Sequence, residues 1–284
     1  MISVLLCTLN RPVQIKDCIA SLLAQSYTDF EIIVVDQSKG DDTRKSCAEF
    51  NDSRIKYHHV DFTGLSRARN YGLKYVKGEW ICLGDDDAVY RKDYFHNAID
   101  FLDKNAAKSI LCGHLHFIDN REKDAFDYSI YRNRQQLNAD DMLQIAPSPA
   151  LIFPAGVLKE IKGFDTKFGV GARYGSGEET DVVLRMFKYG IRAYYLDNMV
   201  VYHGNSQADA SQDLKKVYKY YIGLGALLKK HLWYDKNTGL LPKAARATLG
   251  AWIKWVTGDK RQKELYRMRI AGFHRGFIKY KISR

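Results

Sequence analysis

No stretch of this chain reaches the ~18 consecutive apolar residues that a membrane-crossing helix requires. The N-terminus, Met1-Ile2-Ser3-Val4-Leu5-Leu6-Cys7, has no basic segment ahead of an apolar one, so a secretory leader is not expected. Cysteine is scarce: Cys7, Cys18, Cys47, Cys82 and Cys112 are odd in number and irregularly spaced, with no C-x-x-C pair. That argues against a disulfide framework or a cysteine zinc site, and for free thiols in a reducing compartment. Proline is rarer than average, at 5 in 284 residues, and no low-complexity linker or internal repeat is visible. With 46% apolar and 27% charged residues, the chain has ample material for a buried core and does not read as disordered. A cytoplasmic protein is expected.

The net charge of +11 is unevenly placed. From Asp213 to Arg284 there are 18 Lys and Arg against 4 Asp and Glu, whereas the first 212 residues carry a slight acidic excess. A weakly acidic body with a strongly basic tail implies two jobs in two regions.

Along the body, apolar runs alternate with helical periodicity. Ile2 to Thr8, Phe30 to Val35, Arg54 to Val60, Trp80 to Leu83, Ser109 to Ile118, Ala150 to Phe153 and Ala193 to Val201 read as strands. Helices are expected after Pro12, over Ser66 to Val76, over Lys92 to Leu102 and over Asp181 to Tyr189. This alternation predicts an α/β fold with a mainly parallel, doubly wound sheet, whose ligands gather at the carboxyl ends of the strands. Residues 119–146 are polar with little periodicity and read as a loop-rich insertion or lid. The glycine-punctuated stretch 163–177 reads as a flexible loop, although Gly169, Gly171 and Gly175 lack the spacing and the leading strand of a dinucleotide motif.

Several polar groups fall at those strand ends. Asp85-Asp86-Asp87 follows the apolar run Trp80 to Leu83. Three adjacent carboxylates repel and resist desolvation, and a divalent cation with a taste for hard oxygen ligands would relieve both. An acidic turn before the next helix would look the same. Asp36 closes the second strand, where it could accept from a base or ribose or could cap a turn. Arg67 and Arg69 open a helix and suit phosphate oxygens, or simply a solvated face. Glu178 and Glu179 follow the glycine loop; a carboxylate there could take a proton from a hydroxyl, or could serve the helix dipole alone. His203 follows the last strand and could complete a metal shell or be structural.

Taken in order, the segments SVLLCTLNRP (3–12), FEIIVVDQS (30–38), GLSRARNYGL (64–73), GEWICLGDDD (78–87), GFDTKFG (163–169) and GEETDVVLR (177–185) resemble the family 2 glycosyltransferases of GT-A fold over roughly residues 1–205. The resemblance implies a Rossmann-like catalytic domain over 1–212, with a nucleotide-sugar half at about 1–118 and an acceptor half at about 147–212. It implies that Thr8, Asn10, Asp36, Arg67, Arg69, Asn70, Asp85 and Asp86 surround the nucleotide-sugar, commonly with uracil as base. Asp85, Asp87 and His203 would hold Mn²⁺ or Mg²⁺. Glu179 or Glu178 would be the catalytic base, because the family's Glu-Asp pair reads Glu-Glu here. An inverting displacement from a nucleotide diphosphate-sugar, commonly a UDP-hexose, onto a glycan or lipid-linked hydroxyl is implied.

The tail, residues 213–284, lies outside that resemblance. Its lysines and arginines are interleaved with aromatics, and Trp252, Ile253, Trp255 and Val256 beside Lys254 and Lys260 have the pattern of an interfacial helix. The expectation is a basic helical extension that docks on an anionic membrane surface, placing the enzyme on the inner face of the plasma membrane. Packing against the body would leave the same composition. Nucleic-acid binding is a competing use of basic and aromatic residues, but the acidic body argues against it. A catalytically silent protein on the same fold is disfavoured by the intact set of Asp36, Asp85, Asp87 and Glu179. A nucleotidyltransferase would need a glycine-rich phosphate loop, and Cys7 to Pro12 holds no glycine.

Overall fold

A computed structural model describes residues 1–105, 108–132, 135–204, 213–234, 236 and 238–281. Its strands are β1 (Ile2–Thr8), β2 (Phe30–Asp36), β3 (Ile55–His59), β4 (Trp80–Asp85), β5 (Val89–Tyr90), β6 (Ser109–His116), β7 (Gln136–Leu137), β8 (Leu151–Pro154) and β9 (Arg192–Tyr202). They form one sheet in the order β3-β2-β1-β4-β8-β6-β9-β5, with β7 also on β9. β3, β2, β1 and β4 run parallel, and β6 and β9 run parallel to each other. β8 pairs antiparallel with both β4 and β6, so it is the one reversed strand between two parallel groups. The mainly parallel expectation holds.

The central strands are covered on both faces, which is why β1 and β2 read as unbroken apolar runs rather than alternating ones. Successive side chains still go to opposite layers. Leu5, Ile33, Val35 and Leu83 join one core with Ala68, Phe153 and Val183. Val4, Leu6, Ile32 and Val34 join the other with Ile15, Ile19, Leu22 and Phe95. The flanking helices are α1 (Gln14–Leu23), α2 (Asp42–Ala48), α3 (Leu65–Gly72), α4 (Tyr94–Asn105), α5 (Ala139–Ile145), α6 (Ala155–Glu160) and α7 (Glu178–Lys188). α3 lies so close to β1 that a Cβ on Gly72 would collide with Leu5.

Within 119–146 the described residues are more ordered than a lid. α5 starts at a capping box in which Asn138 and Asp141 bond each other's backbone N–H. Tyr128, Tyr131, Leu137, Met142 and Ile145 are buried in the first core. His114 and His116 at the end of β6 hold Asp124 at 2.7 and 3.2 Å, clasping this segment to the sheet.

The tail is helical: α8 (Leu214–Lys229), a π turn (Lys230–Tyr234), α9 (Leu241–Thr257) and α10 (Lys260–Lys279). α8 and α10 cross backbone to backbone. A Cβ on Gly276 would strike the Ile222 carbonyl, and one on Gly225 the Phe273 carbonyl. Their other sides dock on the body through Ala226, Leu227, Leu228 and Tyr280 against Phe168, Tyr174 and Leu184. Packing on the body thus accounts for α8 and α10, whereas α9 keeps Leu249, Trp252, Ile253 and Val256 exposed. Among the described residues no helix is long and apolar enough to cross a membrane. The boundary expected at 212/213 falls at residues 205–212, outside the described residues.

Candidate active site

Parallel register aligns the carboxyl ends of three strands: Thr8 lies beside Asp36, and Cys7 beside Asp85. The chain leaves β4 there, so Asp86 and Asp87 also stand at this edge. The carboxylates share their partners. Thr8 Oγ1 donates to Asp86 at 2.7 Å, and Arg11 Nη1 donates to both Asp86 (2.9 Å) and Asp87 (2.7 Å). His203, at the end of β9, sets Nε2 3.0 Å from Asp87 and 3.9 Å from Asp85. Burial opposes the charge on Asp87, but His203 and Arg11 outweigh it and hold that carboxyl well below the usual range. Burial wins at Asp85 and Asp86, whose carboxyls are pushed up. Asp85 and Asp87 each approach His203 Nε2, and carboxylates and an imidazole are donor types that Mn²⁺ or Mg²⁺ accepts.

Arg69, on α3, joins this cluster to the base candidates. It is fully buried, and donates to Asp85 at 3.3 Å, to Glu178 at 3.0 Å and to Ser148 Oγ. Burial alone would discourage its charge, yet the two carboxylates keep it firmly protonated. Its side chain therefore works as a strut between the metal-type cluster and α7.

α7 begins after Gly177, whose φ of 87° turns the glycine loop into the helix. Glu178 is buried on Arg69, whereas Glu179 is partly exposed to a cavity of about 660 Å³. Asp85, Arg69, Ser148, Glu178 and His203 line the same cavity. Burial, followed by the neighbouring Glu178 charge, raises the Glu179 carboxyl well above its ordinary range. One turn further, fully buried Asp181 binds Lys230 at 2.7 Å, His231 at 3.0 Å and Arg185 at 2.8 Å. This ties the base helix to the end of α8.

The other expected residues are placed differently. Asp36 is fully buried and accepts from Ser38 N (2.9 Å) and Tyr57 Oη (2.6 Å). Asn10, in the left-handed region at φ 56°, gives its N–H to Ser38 Oγ at 2.7 Å. Arg67 is exposed, its guanidinium 4.4 Å from the centre of the Phe62 ring. Both ends of the Asn70 amide are taken by the Phe164 backbone, at 2.7 and 2.8 Å. Sequence reasoning missed Arg11, Ser148, Lys230 and His231. Arg11 alone carried a signal, since it stands three residues past the first strand's end. Among the described residues, His114, His116 and Asp124 have ligand atoms within 4.8 Å of one another. Both nitrogens of His114 are already engaged there, by Tyr195 and Asp124.

A family model described as Glycosyl transferase family 2 matches residues 3–161, over half of the chain. The chain belongs to glycosyltransferase family 2. Among its relatives, the UDP-Glc:alpha-D-GlcNAc-diphosphoundecaprenol beta-1,3-glucosyltransferase WfgD of Escherichia coli is 32% identical over 121 residues, covering 42% of this chain and 47% of that protein. Glycosyltransferase GlyA of Streptococcus pneumoniae is 35% identical over 82 residues, 28% of this chain and 12% of that one. The chain thus spans less than half the length of these relatives. In structure it is similar to S. aureus TarS 1–349 in complex with UDP, with a TM-score of 0.61 at 16% identity, over 96% of this chain and 88% of the other. It is likewise similar to the mannosyltransferase PcManGT from Pyrobaculum calidifontis in complex with GDP-Man and Mn²⁺ (TM-score 0.64, 16% identity, 98% and 86% covered). At such identities the likeness is one of fold, the GT-A type.

Proposed function

We propose that this family 2 member is an inverting glycosyltransferase that moves a sugar from a nucleotide diphosphate-sugar, a UDP-hexose, to a hydroxyl of a glycan or lipid-linked acceptor in polysaccharide assembly. One observation carries the reading: Glu179 lines the same cavity as Asp85 and His203. Glu179 takes the acceptor hydroxyl's proton as that oxygen bonds to the anomeric carbon. The bond from that carbon to the diphosphate breaks on the opposite face, so the configuration inverts. Glu178, committed to Arg69, positions the strut rather than the proton. Asp87, Asp85 and His203 would hold the Mn²⁺ or Mg²⁺, which supplies positive charge to the departing diphosphate. Asp36 is the residue for the base, with Tyr57 yielding its hydrogen bond. The relatives named for UDP-Glc, UDP and GDP-Man support a nucleotide-sugar donor.

Calorimetric titration with UDP tests the donor half. Binding strengthened by Mn²⁺, with the strengthening lost in Asp87→Ala, is expected. Equal metal dependence in the variant would remove Asp87 from the ion's shell.

In this reading residues 1–212 are the catalytic body and 213–284 dock it on the inner face of the plasma membrane. The exposed apolar row Leu249, Trp252, Ile253 and Val256 on a helix that also carries Lys254 supports this. Changing Trp252 to Ala and both Ile253 and Val256 to Ser should weaken partition onto phosphatidylglycerol vesicles by about tenfold or more, since each such side chain contributes roughly 1.5–3 kcal/mol when buried. Unchanged partition would end the membrane assignment.

A further inference from the structure

A second cavity, of about 1180 Å³, lies between the glycine loop 170–175 and helices α8 and α10. Five of its wall residues are cations: Arg173, Lys215, Lys219, Arg275 and Lys279. Among the described residues no Asp or Glu lines it. Among the described residues none of the five forms a salt bridge, in a structure where Arg11, Arg69, Arg185 and Lys230 all do. Like charges gathered around one groove repel, and the concave wall focuses their field. An anion with more than one charge relieves that repulsion.

Two further features narrow the occupant. The groove adjoins the catalytic cavity, with Val170, Gly175, Lys215 and Lys219 in the walls of both. An anion seated in it therefore lies next to the space that Glu179 lines. Between the cations the wall is apolar, formed by Leu214, Ile222, Met268 and Ala271. A bare polyanion would gain nothing from that surface, whereas an alkyl chain would.

We infer that this groove is the acceptor subsite for an alkyl diphosphate, with the acceptor sugar reaching Glu179 and the chain running along α8 and α10. The inference rests on the glycosyl-transfer reading and names the acceptor's chemical class. It gives the tail a role in recognising substrate, beside any role at a membrane. The donor's diphosphate belongs to the Asp85, Asp87 and His203 side of the catalytic cavity, so the two diphosphates occupy different ends.

The test uses the full chain saturated with UDP and Mn²⁺, so that the donor site is filled, and titrates in monomeric farnesyl diphosphate. Wild type should bind it, and Arg275→Gln/Lys279→Gln should bind it about tenfold or more weakly, as expected on losing two charge-assisted contacts. UDP affinity, titrated separately, should be the same in both proteins. Equal farnesyl diphosphate affinity in the two proteins would overturn the proposal, as would no binding to a wild type that binds UDP. Two further results would also overturn it. Inorganic diphosphate binding as tightly as the farnesyl compound would show a bare anion site. Displacement of the farnesyl compound by phosphatidylglycerol vesicles to the same extent as by unlabelled compound would show a headgroup surface. A wild type that fails to bind UDP would instead sink the glycosyl-transfer reading, and the subsite with it.

Discussion

Glu179→Gln should lower kcat for sugar transfer by about 10²–10⁴-fold, the range that a positioned general base contributes. UDP binding should be unaffected, because Glu179 stands on α7 while the proposed donor residues stand on α3 and at the ends of β1, β2, β4 and β9. The raised Glu179 carboxyl fixes the sign of the pH effects. Activity needs its deprotonated form, so wild-type kcat/KM should fall on acidification at a higher pH than an ordinary glutamate would give. Stability runs the other way. Glu179 holds its proton more tightly folded than unfolded, so between its ordinary and its raised pKa the folded state binds more protons and stability declines as pH rises. Glutamine removes that penalty. The inactive variant should therefore melt higher than wild type at neutral pH, a pairing of lost activity and gained stability seen where a site holds an unfavourable charge. A variant that retains near-full transfer would move the base to Glu178.

Arg69→Met carries the largest stability prediction. Arg69 is the buried cation shared by Asp85 and Glu178, and methionine fills much of its volume while stranding both carboxylates. Breaking a buried pair in this way costs about 3–5 kcal/mol, to be read as a lower denaturant midpoint. Arg69→Lys should rescue only part of it, since one ammonium cannot span the three partners that the guanidinium fork reaches. Removing one stranded acid in Arg69→Met/Glu178→Gln should restore a portion. A loss under about 1 kcal/mol for Arg69→Met would mean that the acids find other partners, and the strut would have no energetic basis.

The parts of this molecule that were legible in sequence share a cause. β1, β2 and β4 are doubly covered strands, so their apolar runs are continuous and their ends are marked by Thr8, Asp36 and Asp85. Where the chain leaves parallel strands, ligand groups collect, and the acidic triplet stood out by that rule, whereas the glutamate pair stood out by following a glycine-punctuated loop into a helix. What stayed hidden depends on long-range register. The reversal of β8 cannot be read from four apolar residues. α5, with seven residues, is too short for helical periodicity to stand out, and its capping box shows only once the helix exists. The burial of Arg69 and its bonds to Asp85 and Glu178 could not be read from sequence, because α3, β4 and α7 are far apart in the chain. Lys230 and His231 sat in a basic run that reads as solvated, although both converge on Asp181. The tail's composition suggested a surface for lipid. α8 and α10 also bury apolar residues against the body, and α9 keeps an exposed apolar face.

The central claim is direct transfer with inversion, and the anomeric configuration of the first product tests it most directly. Proton NMR of the enzyme with Mn²⁺ and a UDP-α-hexose, followed before mutarotation, should show UDP released together with the β-configured sugar, on acceptor or on water. The α-configured sugar, or no UDP released from any donor, would contradict it.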